Sequence, residues 1–481
     1  MGEICNRKPK NYDTQMNTLR HILCLLLLAL LGANAAAQVE TYPVADANLL
    51  NPNFRVTVNQ GGKSLDSPVY CARVLNRRGG NAVETCGTTQ FSFGGAVEVC
   101  VEFLGGSIDS ARIRPLSLGL KPAVEGNRLR FRLNQPENLS VEVNGDIYHN
   151  LLLFANPMPQ APRKADIVFR PGVHQLPGDS LVIGSNTSVW IDGGAIVKGQ
   201  IVVKDAENVR ISGRGYVDCP SREGIYLERS RNVMVEGVAT SQVPCGNCDD
   251  VTIDNVKVVS FRSWGDGFNT FASSNITYRH CFARTSDDCT TVYATRKGFV
   301  GSSRNISMTD CVLWADIAHP IFIGLHGNVE RPDTVENLTY RDIDILGQCE
   351  QQVDYQGCLA IGAGDLNLVR DVLFEDIRIE SIACGQILNL RTTHNQKYCL
   401  APGRAIENIT FRRVTYTGPL PNLSIVAAHS PENPIRGLHF QDFTLNGRHI
   451  YDAMPERPKW YKTSDFAHAY IGENVQAVTF E

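Results

Sequence analysis

Three acidic side chains and two histidines stand out by type and spacing: Asp266 in Gly265-Asp266-Gly267, the pair Asp287-Asp288, then His319 and His326. Carboxylates held close together cannot all ionise easily. Repulsion raises the pKa of one and keeps a proton available near neutrality while the others stay anionic. Hydrolysis of a glycosidic bond needs that division of labour, one acid to protonate the leaving oxygen and one base to activate water. Taken alone, Ser286-Asp287-Asp288 reads as a solvated turn, and Asp249-Asp250 is a second such dipeptide. What sets the cluster apart is its phase within a repeat.

The repeat starts near residue 165. A polar residue, an aliphatic, a polar residue and an apolar one recur, as in Asn208-Val209-Arg210-Ile211, Asn275-Ile276-Thr277-Tyr278 and Asn408-Ile409-Thr410-Phe411. Taking the first aliphatic as anchor gives Val209, Val233, Val251, Ile276, Ile306, Leu338, Val372, Ile409, Leu438 and Val478, spaced 18 to 40 residues apart. A period of this kind means a solenoid. Its β-branched, period-two phrases, many followed by a second strand such as Asp342-Ile343-Asp344-Ile345, predict one β-rich coil per repeat. The expected fold is therefore all-β, a right-handed parallel β-helix over 165–481.

Asp266 lies 15 residues after Val251, Asp287 and Asp288 lie 11 and 12 after Ile276, and His319 lies 13 after Ile306, which predicts one column on one face. Neighbours in a strand point to opposite faces, so the chain must bend for Asp287 and Asp288 both to reach solvent. Trp264 and Trp314 are either platforms for sugar rings or core. His326 sits in an expected turn, where a polar surface role competes with a site role. Asn-X-Ser/Thr triplets at Asn275, Asn305, Asn337 and Asn408 are copies of the phrase, and read as caps of turns between coils more simply than as glycosylation acceptors.

Residues 38–160 alternate in shorter runs, such as Val97-Glu98-Val99-Cys100-Val101 and Leu129-Arg130-Phe131-Arg132-Leu133, predicting a small β-sandwich with Asn156 to Pro162 as linker. Residues 16–37, with Arg20, an apolar run and Ala35-Ala36-Ala37, read as a secretory signal, removed with everything before it as residues 1–37. That run is too short to span a membrane. The expected location is secreted or periplasmic. Removing the leader takes the net charge from −4 to about −6, which argues against nucleic acid as a partner. Thirteen cysteines then remain, which suits disulfide bonding in an oxidising compartment with one left unpaired. Cys245-Gly-Asn-Cys248 lacks the further ligands of a zinc site and reads as a local disulfide or two separate bridges.

The stretches Gly265-Asp266-Gly267, Ser286-Asp287-Asp288-Cys289 and Ala318-His319-Pro320-Ile321-Phe322-Ile323-Gly324 resemble the active-site motifs of glycoside hydrolase family 28, the polygalacturonase group. The chain is also similar to glycoside hydrolase family 49, the dextranase and isopullulanase group, which has a β-sandwich before a β-helix of the pectin-lyase-like superfamily. Pro171-Gly172-Val173-His174 and the run from Ser188 to Gly199 look like that group's entry into the helix. The resemblance implies an inverting hydrolase, Asp287 the general acid, Asp266 and Asp288 holding the water, His319 orienting or tuning the acid, with no metal and no cofactor. The implied substrate is a polysaccharide or oligosaccharide acted on by a monomer. Two departures stand out. Glycines frame Asp266 where Asn-Thr precedes the aspartate in the polygalacturonase pattern, and the later Arg-Ile-Lys that grips galacturonate has no clean match. Arg391 and Lys397 lie in a suitable late coil and, with Trp264 and His326, are the candidate substrate-binding residues. Without a cationic clamp a neutral glycan competes with a polyanion as substrate. A polysaccharide lyase on the same helix and a catalytically silent carbohydrate-binding β-helix are the alternatives.

Overall fold

The computed structural model describes residues 38–481 apart from 78, 161–163 and 393, so the expected signal segment lies outside the described residues. From Ile167 to Phe480 thirty strands form one continuous sheet, nearly every one paired in parallel with a strand one coil later. The ten anchors are register partners from coil to coil, from Val209 opposite Val233 through to Leu438 opposite Val478. Period-two alternation turns these aliphatics inward into one core while the residues between them face out. The last residue of the phrase also stacks on its copy in the next coil. The rings of Phe374, Phe411, Phe440 and Phe480 lie 4.4 to 5.1 Å apart and within 12° of parallel.

Each phrase opens on a residue with positive φ, including Asn275 at 58°, Asn305 at 56° and Asn337 at 57°. Asparagine tolerates this conformation because its short amide can bond locally. Here the amides bond to one another along the stack, Asn305 Nδ2 to Asn275 Oδ1 at 2.9 Å and Asn337 Nδ2 to Asn305 Oδ1 at 2.7 Å.

Residues 38–157 form a six-stranded and a five-stranded sheet that share one core, with Phe91, Val141 and Leu153 from the first facing Val56, Val99 and Phe131 from the second. The strand Leu151–Pro157 runs past the expected start of the linker, because Asn156 is wholly buried against the β-helix and accepts from Asn255 Nδ2 at 3.1 Å and from Lys257 Nζ.

The sandwich covers the outer face of one side of the helix. Outward residues there occur at alternate positions in register: Lys257 opposite Phe282, then Val312, and Arg284 opposite Trp314. All are buried or nearly so only because the sandwich lies over them. Arg284 bridges the two units, with Nε and Nη2 on Asp316 at 3.0 and 3.2 Å, Nη1 on Asn150 at 3.0 Å, and its guanidinium 3.9 Å over the Trp314 ring. Trp314 is thereby an interface residue and not a sugar platform.

The expected disulfides are absent. All thirteen cysteines among the described residues are free thiols. Cys245 and Cys248 belong to the helix core, where Cys248 Sγ faces the Gly246 carbonyl at 3.5 Å and Cys245 lies beside the Tyr278 hydroxyl. Coil stacking sets these thiols among aliphatics, and they pack as small apolar groups.

Candidate active site

Asp266, the Asp287-Asp288 pair and His319 occupy equivalent turns of three successive coils, just before the strands Phe268–Phe271, Thr290–Tyr293 and Ile321–Gly324. Those strands pair Phe268 with Thr290 and Thr290 with Ile321, so Asp266, Asp288 and His319 each stand two residues ahead of a register partner. The ladder continues into the turns: Gly267 N donates to Asp288 O, and Cys289 N to His319 O, each at 2.8 Å. Between Asp288 and the strand Phe282–Thr285 the chain bends, closed by Thr285 Oγ1 donating to the Asp287 carbonyl at 2.6 Å. That bend frees both carboxyls from strand alternation. Asp287 is half-buried and lines an open cleft, whereas Asp288 is buried beneath it.

The partners divide the three carboxyls. Asp266 Oδ2 accepts from Asn269 Nδ2 at 2.5 Å. Asp288 Oδ1 faces His319 Nδ1 at 2.6 Å and accepts from His319 N at 3.1 Å, while its Oδ2 accepts from Tyr293 Oη at 3.4 Å. His319 Nε2 points at the Tyr355 carbonyl, which can only accept, so that nitrogen keeps its proton. The imidazole ring stacks on Phe322 at 4.4 Å. Burial alone would discharge His319, but the Asp288 carboxylate outweighs it and raises the pKa. An imidazolium clamped to an anionic Asp288 is the state these bonds favour.

Burial, then the charge on Asp288, raises Asp266 to about 7 against the pull of Asn269. Burial, then Asp266 and Asp288, raises Asp287 well above the usual carboxylate range as well. Burial and mutual repulsion thus bias both carboxyls toward their protonated forms.

The remaining candidates fall in different places. Trp264 is 70 % exposed beside Asp266 and Asp287 at the cleft, with φ of 58°. His326 is buried, its ring edge-on to Tyr293 at 5.0 Å, and burial pushes its pKa down to about 3, so it supports Tyr293 from behind. Arg391 stands two coils beyond His319, with Nη1 on the Asp354 carbonyl at 2.9 Å, in a narrow recess with Phe322, Tyr355 and Asn389. Lys397 is exposed, its Nζ 4.7 Å over the Tyr398 ring, and joins neither group. In the coil directly after His319, Ala360 and Gly362 stand opposite Phe322 and Gly324, so that coil offers no cation from its strand. His319 touches Asp288 and not Asp287, so it orients the buried carboxylate. Asn269, Tyr293 and Tyr355 escaped the sequence reading. The first two follow Asp266 and Asp288 by three and five residues at outward strand positions, a signal the period-two rule contains.

Fold and site together define a β-helical protein that gathers three carboxyls and a histidine on equivalent turns of three successive coils. The model of the family described as Glycosyl hydrolases family 28 matches residues 189–454, more than half of the chain, and the chain belongs to that family. The solved structure of Dex49A from Penicillium minioluteum shares the fold, covering 92% of this chain and 99% of that one at 14% identity and a TM-score of 0.57. A family 28 exopolygalacturonase of Yersinia enterocolitica is similar over 72% of this chain and 89% of its own at 13% identity, with a TM-score of 0.43. A curated protein described as a probable polygalacturonase of Arabidopsis thaliana is 25% identical over 175 residues, 36% of this chain and 32% of that protein, so the match spans about a third of that relative.

Proposed function

We propose that this chain is an exported glycosidase that hydrolyses O-glycosidic bonds of a polysaccharide with inversion at the anomeric carbon. The observation that carries the reading is the gathering of Asp266, Asp287 and the Asp288–His319 pair on equivalent turns of three successive coils, where the first two carboxyls are held toward their neutral forms. Asp287, held toward its neutral form and the carboxyl that lines the cleft, serves as general acid to the leaving oxygen. Asp266 and Asp288 hold the attacking water and take its proton. Two buried polar atoms on register partners beside them, Asn269 Oδ1 and Thr291 Oγ1, have no hydrogen-bond partner in the protein and suit a water or a sugar hydroxyl. Trp264 offers a ring face to the sugar next to the bond that breaks, and Arg391 lies where a more distant unit of the chain would pass. Export rests on the signal character of residues 16–37.

The purified protein should release reducing ends from at least one member of a polysaccharide panel, and NMR should record inverted anomeric configuration in the first product. Asp287→Asn should lower kcat by about 10²–10⁴ with the melting temperature no lower than wild type. Full activity in that variant, or an unsaturated uronate product seen by its ultraviolet absorbance, would overturn the assignment.

A further inference from the structure

The cleft at Asp287 has a volume of about 410 Å³, within the range of small-ligand sites, and it is not made by the β-helix alone. Leu75, Asn81 and Val83 of the sandwich form one side, facing Trp264, Asp287 and Ile317 of the helix. These three come from the hairpin of strands Val69–Asn76 and Ala82–Gly94, which overhangs the catalytic turns. Its seat is fixed at both ends: the Arg73 guanidinium lies 3.8 Å over the Phe261 ring, and Arg77 Nη2 reaches Gln351 Oε1 at 3.4 Å. Between them Val74 is wholly buried in a cluster with Phe154 and Phe282. The hairpin thus runs past the turns of four coils, 261–267, 286–288, 316–319 and 350–356.

The chemistry of this wall is distinctive. Among the nine described residues that line the cleft, Asp287 is the only one with an ionisable side chain. The others are aliphatic, aromatic or neutral polar. Arg262 and Lys297, the cations that act on Asp266, both face Glu223, each at 3.9 Å, and line no part of this cleft. A sugar carboxylate placed here would meet Asp287, and among the described residues that line the cleft no cation stands to compensate it. A neutral ring suits the site: its C–H face lies on an indole, its edge on Val83 and Leu75, and its hydroxyls on Asn81. Trp264 holds positive φ, which a bulky side chain adopts only where the surroundings impose it, and such strain gathers at ligand sites.

We propose that the sandwich hairpin and Trp264 together form a substrate subsite beside Asp287 that accepts an uncharged sugar residue and selects against a uronate. The inference rests on the glycosidase reading and narrows it to a neutral glycan at this position, with the N-terminal unit as part of the site. The test is calorimetric binding of neutral gluco- and galacto-oligosaccharides and of galacturonate oligomers to the full chain and to Val83→Arg and Trp264→Gly, with turnover measured in parallel. A neutral oligosaccharide should bind wild type, and each variant should weaken it tenfold or more. Trp264→Gly should leave the melting temperature unchanged or higher, since glycine accepts this φ freely. Galacturonate oligomers should bind wild type weakly or not at all and gain affinity in Val83→Arg. Binding of galacturonate oligomers alone by wild type, variants that bind neutral ligands like wild type, or no binding by any oligosaccharide each overturns the proposal. Neutral ligands that bind as expected but are never cleaved would sink the hydrolase reading and leave the subsite standing. Cleavage with unaltered KM in both variants would do the reverse.

Discussion

His319 meets an acceptor at each ring nitrogen, and Asp266 and Asp287 are both held toward their protonated forms, so the residues of the site dictate how stability responds to pH. A raised His319 pKa means a contribution fully present below the unfolded value of about 6.5 and lost as pH climbs through the folded one. The raised carboxyls act in the same direction. The folded state holds protons that the unfolded chain releases near pH 4, so stability declines as pH rises toward the Asp266 value of about 7 and beyond. The melting temperature should therefore fall between pH 5 and pH 8, and Asp287→Asn, which keeps the shape and removes the repulsion, should flatten that fall. Calorimetry at the two pH values checks this, and equal slopes in both proteins would count against carboxyls held in their protonated forms. Asn269→Ala tests the other partner: loss of its hydrogen bond raises Asp266 further, so the acidic limb of kcat/KM should move to higher pH. That the aspartates and His319 stand in one column was legible in the sequence because the repeat supplied their phase. The target of His319 was not, since which of two adjacent carboxyls it meets depends on the bend that Thr285 closes.

Among the elements, the phrase that opens each coil does two jobs that the sequence carried openly. Its aliphatics define the core column, and its asparagines hold the turn between coils. Asn305 sits mid-ladder, donating to Asn275 and accepting from Asn337 at positive φ. Asn305→Ala loses both bonds and places a Cβ-bearing residue without local compensation in the left-handed region, a cost of about 2 kcal/mol after discounting for exposure. Asn305→Gly loses the bonds but not the conformation, and should cost about half as much. Denaturant midpoints of the two variants should rank in that order, and an alanine variant as stable as the glycine one would remove the conformational part of the argument. The long strand Thr334–Cys349 was read as two, and the structure joins them across Asp342 at φ of 56°, as it joins Leu368–Ile379 across Asp376 at 55°. The cysteines of the helix misled for a related reason: their type suggests pairing, while the inward phase of Cys245, Cys248, Cys281, Cys289, Cys311 and Cys358 makes them core.

Across the whole molecule, the residues that bind sandwich to helix were the least legible, because an outward position looks solvent-exposed until a second unit is laid on it. Arg284 reads as a surface residue by alternation, yet it is wholly buried and shares its charge with Asp316 and its remaining donor with Asn150. Its cost is tied to that geometry. Arg284→Met leaves Asp316 as a buried, uncompensated carboxylate, which destabilises by about 3–5 kcal/mol. Arg284→Met with Asp316→Leu removes both charges and should recover most of the loss. Because the same interface carries the hairpin over the cleft, the single variant should also raise KM for the substrate, and the double variant should bring KM back with stability. A double variant that regains its melting temperature but keeps the raised KM would mean that Arg284 sets the hairpin's position directly. Recovery of both would mean that the sandwich is positioned by the packing of Val74, Phe154 and Phe282, with the ion pair needed only to neutralise itself.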